Sequence, residues 1–276
     1  MIDFAEVLAA NSTRFREVLA GLPAAAPVPS CPDWTAGDLL WHLTEVQSFW
    51  GTIVDGRLQV DEQVGAVAAP DRPVDHGASL ALFEEVSAHL GAQLEAAGDD
   101  TPVWTWTPDH TVGWVRRRQA QEALMHRVDA ELTAGLGSQI DPEVAEDGID
   151  ELLTQFGAQP PAWGAFDPSG MLVEVRCGSP QDPAAADAST RLARMRVAWV
   201  VRLGRFRGVD PSGQAHDEPD YQPVTHPHGP ADAVIEGSPA ELLLWLWGRS
   251  EGAGVRVTGD PTARGALREA IAANTQ

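Results

Sequence analysis

The stretch Arg116-Arg117-Arg118-Gln119-Ala120-Gln121-Glu122-Ala123-Leu124-Met125-His126-Arg127-Val128-Asp129-Ala130-Glu131 decides how the first half of the chain reads. It has no glycine or proline, and most of its residues are strong helix formers. Ala120, Ala123, Leu124 and Val128 recur at three- and four-residue steps, the period of a helix face. Glu122 and His126 are four apart, so their side chains stand one turn apart on the same face. A carboxylate and an imidazole so placed can share a divalent cation. An ordinary helical Glu–His contact has the same spacing, so the pair alone does not decide between the two. Arg118 lies four before Glu122 and is placed to orient its carboxylate, and Asp129 lies one turn beyond His126 and is placed to do the same for the imidazole.

Upstream the helical period recurs. Residues 1–20 carry Phe4, Val7, Leu8, Phe15, Val18 and Leu19 as an apolar stripe, stopped at Gly21-Leu22-Pro23. A second helix is expected from about Thr35 to Val54, with Asp33 or Thr35 as cap and Asp38 in the first turn. His42 lies within it. A third helix is expected from about Ala78 to Ala97, and the fourth, the opening stretch, from about Val115 to Ala134, ended by Gly135 and Gly137. Between the third and fourth lies Asp99 to Trp114, with Trp104, Trp106 and Trp114 and no helical period; these rings suit the sealing of one end of a bundle. Four such helices with one long crossover form a four-helix bundle, in which ligands for a metal come from facing helices. His42 then joins Glu122 and His126 as a set of two imidazoles and one carboxylate. That set suits zinc with a fourth position open.

After a helix over Asp141–Phe156 and a linker at Gly157-Ala158-Gln159-Pro160-Pro161, the period changes. Met171–Cys177 and Met195–Val201 alternate as strands do. Asp210–Pro230 reads as a Pro/His/Asp-rich loop, and Ala233–Glu236 as a strand. Ser238-Pro239 starts a Leu/Trp-rich helix up to Trp247. Val255–Asp260 is a strand and turn, and Pro261–Ala273 a last helix. The second half is α+β in two layers.

Composition narrows the function. The 276 residues are comfortable for two domains. A formal charge of −21 argues against nucleic acid as a partner. No run of eighteen apolar residues is present and the N-terminus is acidic, so neither a membrane span nor a signal peptide is expected. Two scattered cysteines, Cys31 and Cys177, fit a reducing cytoplasm. All nineteen basic residues are arginine, which excludes lysine Schiff-base chemistry. With the abundance of Ala and Gly, this composition points to a GC-rich bacterial genome. His226-Pro227-His228, and His216 beside Asp217 and Glu218, read as surface residues, and Cys31 as a structural thiol. No phosphate loop, dinucleotide fingerprint, H-E-x-x-H or G-x-S-x-G occurs.

Three segments together carry a family resemblance. Ser30-Cys31-Pro32-Asp33-Trp34-Thr35 with Asp38–Val46, then Glu122–Glu131, then Ala231–Gly237 with Leu242–Arg249 and Val257–Asp260, resemble the mycothiol-dependent maleylpyruvate isomerase family. The resemblance implies a two-domain α+β protein: an N-terminal DinB-like metal-binding four-helix bundle over 1–140, a helix and linker over 141–162, and over 163–276 a C-terminal α/β sandwich resembling sterol carrier proteins. It implies zinc, or another divalent metal, on His42, Glu122 and His126. It implies mycothiol as thiol cosubstrate, hence an actinobacterial source, and a catalytic arginine in the C-terminal domain, for which Arg249 is the match. Residues 180–220 depart from any pattern of the family. The expected activity is addition of a metal-held thiolate to a small electrophile, as an isomerase of the maleylpyruvate type or an S-transferase, in a cytoplasmic monomer or weak homodimer. Two rivals use the same residues differently: a hydrolase with zinc-activated water, and a non-enzymatic binder of small ligands.

Overall fold

The computed structural model describes residues 1–157, 160–178, 198–227 and 229–275. The chain divides into two compact units, Met1–Ser138 and Gln139–Gln276.

In the first unit α1 spans Phe4–Ala20, α2 Ala36–Gly56, the single turn α3 Asp61–Val64, α4 His76–Ala96 and α5 Val112–Thr133. Each long helix has a side-chain cap: Asp3, Thr35, Asp75 and Thr111 accept from backbone N–H groups of their first turns. At α2 the cap is reciprocal, because the Asp38 carboxylate accepts from the Thr35 backbone N–H while the Thr35 hydroxyl oxygen accepts from Asp38 N–H. The cap at Thr111 starts α5 three residues before Val115, where the sequence alone suggests. Val112, Trp114 and Val115 are thereby brought into the core.

Packing follows the apolar stripes. Phe15, Leu19, Leu39, Leu40, Leu43 and Phe83 are fully buried in one core cluster, and Trp50, Ile53, Leu90, Leu94 and Val115 lie in another. A fully buried side chain of this size stabilises by roughly 1.5–3 kcal/mol. Trp50, Trp104, Trp106 and Trp114 form one aromatic cluster, with neighbouring ring centroids 4.5–6.1 Å apart. α5 is buried nearly all round although much of it is polar: Arg118, Gln119, Gln121, His126, Arg127, Asp129 and Glu131 are all inside. Buried charge persists only when paired. Accordingly, Glu131 accepts from Arg14 at 3.0 Å, Arg127 at 3.1 Å and Ser138 at 2.8 Å.

The second unit starts with α6, Pro142–Glu151, which runs into one π-helical turn, Leu152–Phe156. The segment expected as helix and linker therefore belongs to this unit, with Val144, Ala145 and Ile149 buried. The sheet comprises β1 Gly164–Cys177, β2 Ala198–Val209, β3 Ala215–Pro223, β4 Ala233–Gly237 and β5 Arg256–Gly259, with α7 at Pro239–Leu246 and α8 at Ala263–Asn274. Its order is β3-β2-β1-β4-β5. The β1–β4 pair is parallel, and β1–β2, β2–β3 and β4–β5 are antiparallel.

Two expectations need correction. β1 starts seven residues before Met171 and continues through an irregularity between Pro168 and Leu172. The supposed loop 210–230 contains β3. Pro219, Pro223 and the acidic run argued against a strand, but β3 is an edge strand, where missing N–H donors are tolerated. Its Asp217 pairs across the ladder with Arg205 and Arg207, so the charges that suggested a loop are cross-strand partners. Residues 195–197 of the expected second strand, and His228, lie outside the described residues. Among the described residues no helix is long and apolar enough to cross a membrane.

Candidate metal centre

The first unit brings His42, Glu122 and His126 together. α2 supplies the first and α5 the other two, and their nearest donor atoms all lie within 4.8 Å of one another. Glu122 Oε1 is 3.4 Å from His42 Nε2 and 3.2 Å from His126 Nε2. The two imidazole centroids are 4.8 Å apart, edge to face. In a tetrahedral site with bonds of about 2.0–2.1 Å, neighbouring donors lie roughly 3.3–3.4 Å apart. Two of the three edges already have that length.

The surrounding groups determine which atoms face inward. The Asp129 carboxylate, fully buried, accepts from His126 Nδ1 at 2.9 Å, which leaves Nε2 to face Glu122. Asp129 is itself held by the Ser30 hydroxyl, which donates to Oδ1 at 2.6 Å. Arg118, 3 % exposed, donates to Glu122 Oε2 at 2.9 Å, so Oε1 is the oxygen turned to the imidazoles. The Trp34 ring lies 4.8 Å from that of His42. One third of the His42 side chain remains accessible, so small molecules can reach the cluster from that side.

With Nδ1–H directed to Asp129, His126 Nε2 faces the Glu122 carboxylate oxygen, and that edge calls for a proton or a cation. Two acceptors at hydrogen-bond distance repel unless a positive charge lies between them. For His126, burial favours the neutral imidazole, but hydrogen bonds to Asp129 and Glu122 outweigh it and hold the pKa at about 9. For Glu122, burial acts upward, and the opposing bonds from His126 and His42 with the Arg118 charge hold its carboxyl well below the ordinary range. The donor set fits a borderline divalent ion such as zinc, in its chemistry and in its oriented second shell.

Sequence reasoning found Arg118 and Asp129 from helical spacing. It missed Ser30 and Trp34 as parts of the site, although both lie in the Ser30–Thr35 segment; their signal was that motif, which carries no period. Arg249 lies in the second unit just beyond α7, half-buried. Its Nη1 donates to Trp247 O at 2.7 Å, and the guanidinium sits 5.7 Å from the Trp247 ring centroid. His216 is half-buried rather than a free surface residue, held by Asp210 and Glu218. Cys177 is buried, which pushes its thiol up to about 12 and leaves it unreactive at neutral pH.

Comparison with known proteins identifies the family of the chain. The family described as mycothiol maleylpyruvate isomerase N-terminal domain matches residues 6–131, and the MDMPI C-terminal domain matches residues 143–266. The chain belongs to the mycothiol-dependent maleylpyruvate isomerase family. Within this family of enzymes, two solved structures share its two-domain α+β fold. One is the crystal structure of the mycothiol-dependent maleylpyruvate isomerase, at 14% identity and a TM-score of 0.53. The other is a histidine-to-alanine mutant of the mycothiol-dependent maleylpyruvate isomerase, at 13% identity and a TM-score of 0.54. Each comparison covers 94% of this chain and 93% of the other. No curated protein matches the chain. His42, Glu122, His126 and their supports all lie within the residues matched by the N-terminal family domain.

Proposed function

We propose that this chain is a mycothiol-dependent isomerase of small electrophilic substrates of the maleylpyruvate type, with His42, Glu122 and His126 holding zinc or another divalent cation. The observation that carries the reading is the convergence of three acceptor atoms from α2 and α5, each of the α5 pair fixed by a partner behind it. When bound, the cation supplies a Lewis acid that favours the thiolate form of a thiol at neutral pH.

The chain's own residues supply the rest. Asp129 and Ser30 fix the His126 tautomer and ring plane, and the negative charge of Asp129 makes the imidazole a better donor. Arg118 keeps Glu122 ionised and correctly rotated. Trp34 restrains His42 while leaving an accessible side. Arg249 is assigned the substrate carboxylate: it has a planar, permanently charged fork suited to bidentate binding. Its local support from Trp247 limits the conformations it must lose. The reaction class needs a nucleophilic sulfur that adds to a conjugated double bond, allows rotation about the resulting single bond, and leaves again.

The test combines metal analysis with turnover. Purified protein is expected to carry about one divalent ion per chain, and His126→Ala is expected to lose it. Isomerisation of maleylpyruvate should require mycothiol, and Arg249→Met should raise KM for the substrate more than it lowers kcat. Unchanged metal content in His126→Ala refutes the ligand set. Full turnover without a thiol refutes the thiol-dependent reading.

A further inference from the structure

The second unit holds a cavity of about 200 Å³ whose chemistry differs from that of the metal-ligand cluster. Phe156, Trp163, Phe206, His216, Glu218 and Asp220 are among its lining residues. The aromatic wall is locked in place. Trp163 stands edge to face against Phe206 with centroids 4.9 Å apart, and is also 4.9 Å from the His216 ring. The Phe206 ring fills the space that a Cβ on Gly164 would need, and Trp163 packs on the backbone at Gly208 in the same way. Gly164 and Gly208, paired in the β1–β2 ladder, are thus covered by the rings that form the wall.

Against this wall stands a carboxylate with incomplete partners. Asp220 is 7 % exposed. Its Oδ1 accepts from Tyr221 N–H at 2.7 Å and from the Asn274 amide at 3.0 Å. Its Oδ2 has no hydrogen-bond or ionic partner among the described residues and is open to solvent. The other β3 acids are provided for: Asp217 faces Arg205 and Arg207, and Glu218 faces His216. His216 is itself held between Asp210 and Glu218, so its proton is engaged there and not at Asp220. A largely buried carboxylate whose donors are all neutral favours a cation beside its open oxygen.

We propose that this cavity binds a small organic ammonium ion, its charge against Asp220 Oδ2 and its alkyl groups against Trp163 and Phe206. Aromatic faces attract such cations through their quadrupoles, and the attraction grows when water is excluded. A carboxylate-bearing ligand would be repelled by Asp220 and Glu218. A neutral apolar ligand would displace water from Oδ2 and leave it uncompensated. A bare divalent ion prefers several oxygen ligands, and Phe156, Trp163 and Phe206 take up part of this lining. Burial holds the Asp220 carboxyl above its ordinary value, against the bonds from Asn274 and Tyr221.

The test is calorimetric titration of the full chain with choline, beside its uncharged isostere in which carbon replaces the quaternary nitrogen. Saturable one-to-one binding of choline is expected, with the isostere at least tenfold weaker. Asp220→Asn, which keeps the side-chain shape, should weaken choline at least tenfold without weakening the isostere. Trp163→Leu should weaken choline as well. Absence of saturable choline binding, equal binding of the isostere, or wild-type choline affinity in Asp220→Asn each overturns the proposal. If Asp220→Asn fails to fold by circular dichroism, the wild-type choline-to-isostere ratio and Trp163→Leu decide the question.

Discussion

Replacing Asp129 by Asn tests the candidate metal centre through a residue that is not itself a ligand. The side chain is fully buried, 2.9 Å from His126 Nδ1 and 2.6 Å from the Ser30 hydroxyl. Asn has the same shape. Its amide oxygen can still accept from Nδ1–H, and the Ser30 hydroxyl can rotate from donor to acceptor to meet the amide N–H. What changes is charge. A hydrogen bond to an ionised group contributes about 1.5–3 kcal/mol, and a neutral one about half as much. The variant should therefore lose about 1–2 kcal/mol of support for His126 as a donor, which is roughly a 5- to 30-fold weaker metal affinity. This overlaps the 10- to 100-fold range found when outer-shell partners of metal ligands are removed. Competition of the purified protein with a chromogenic chelator at fixed pH measures it, and circular dichroism of the metal-free variant establishes that the fold is kept. Metal affinity equal to that of the unaltered protein, with the fold intact, would refute the role given to Asp129. Ser30→Ala, one bond further away, should show a smaller loss in the same assay.

Five further substitutions concern the fold. Thr35→Ala removes the α2 cap and should lower stability by about 1 kcal/mol, read as a shift in denaturant midpoint. Asp38 is held near pKa 2, mainly by the Thr35 hydroxyl and backbone with Arg72 adding to it. Its contribution is thus fully present above pH 3.8 and is lost as pH falls through about 2, so Asp38→Asn should flatten that part of the acid-unfolding curve. Phe15→Ala empties a fully buried ring site in the bundle and should cost about 3–5 kcal/mol, with a loss well under 2 kcal/mol contradicting the described packing. Gly259→Ala should destabilise the second unit by more than 1–2 kcal/mol, because φ is +91° there and the new Cβ would meet the Asp232 carbonyl. A Gly135→Ala variant, with φ +70° but open space, should cost only the backbone part, and equal losses at the two positions would remove the steric argument.

The helices of the first unit were legible because period and caps are local signals. Leu39, Leu40 and Leu43 announce a buried face, and Thr35 with Asp38 announces where α2 begins. The pairing of Glu122 with His126 was equally local. That His42 meets them is a tertiary fact, reached at the sequence level only through bundle geometry and the family resemblance. Ser30 and Trp34 escaped because a loop carries no period, and their roles appear only when Asp129 and His42 are in place. β3 escaped for a different reason. Its prolines and acids oppose strand propensity, and only an edge position beside Arg205 and Arg207 makes that composition stable. The cavity at Asp220 was hidden with it, since a segment read as a loop gives no reason to place Asp220 beside Trp163 and Phe206.

The way the helices of the first unit pair gives the candidate metal centre a mechanical meaning. α5 packs mainly on α1 and α2 mainly on α4, while α2 and α5 share a smaller interface. His42 belongs to one pair, Glu122 and His126 to the other. An ion held by all three is a clasp across the seam between two half-bundles. Its removal should be felt first as faster amide exchange along the facing sides of α2 and α5, while protection between α1 and α5 persists. Chelation would then act as a graded loosening of one seam, and the concentration of free metal would set how often the bundle opens along it.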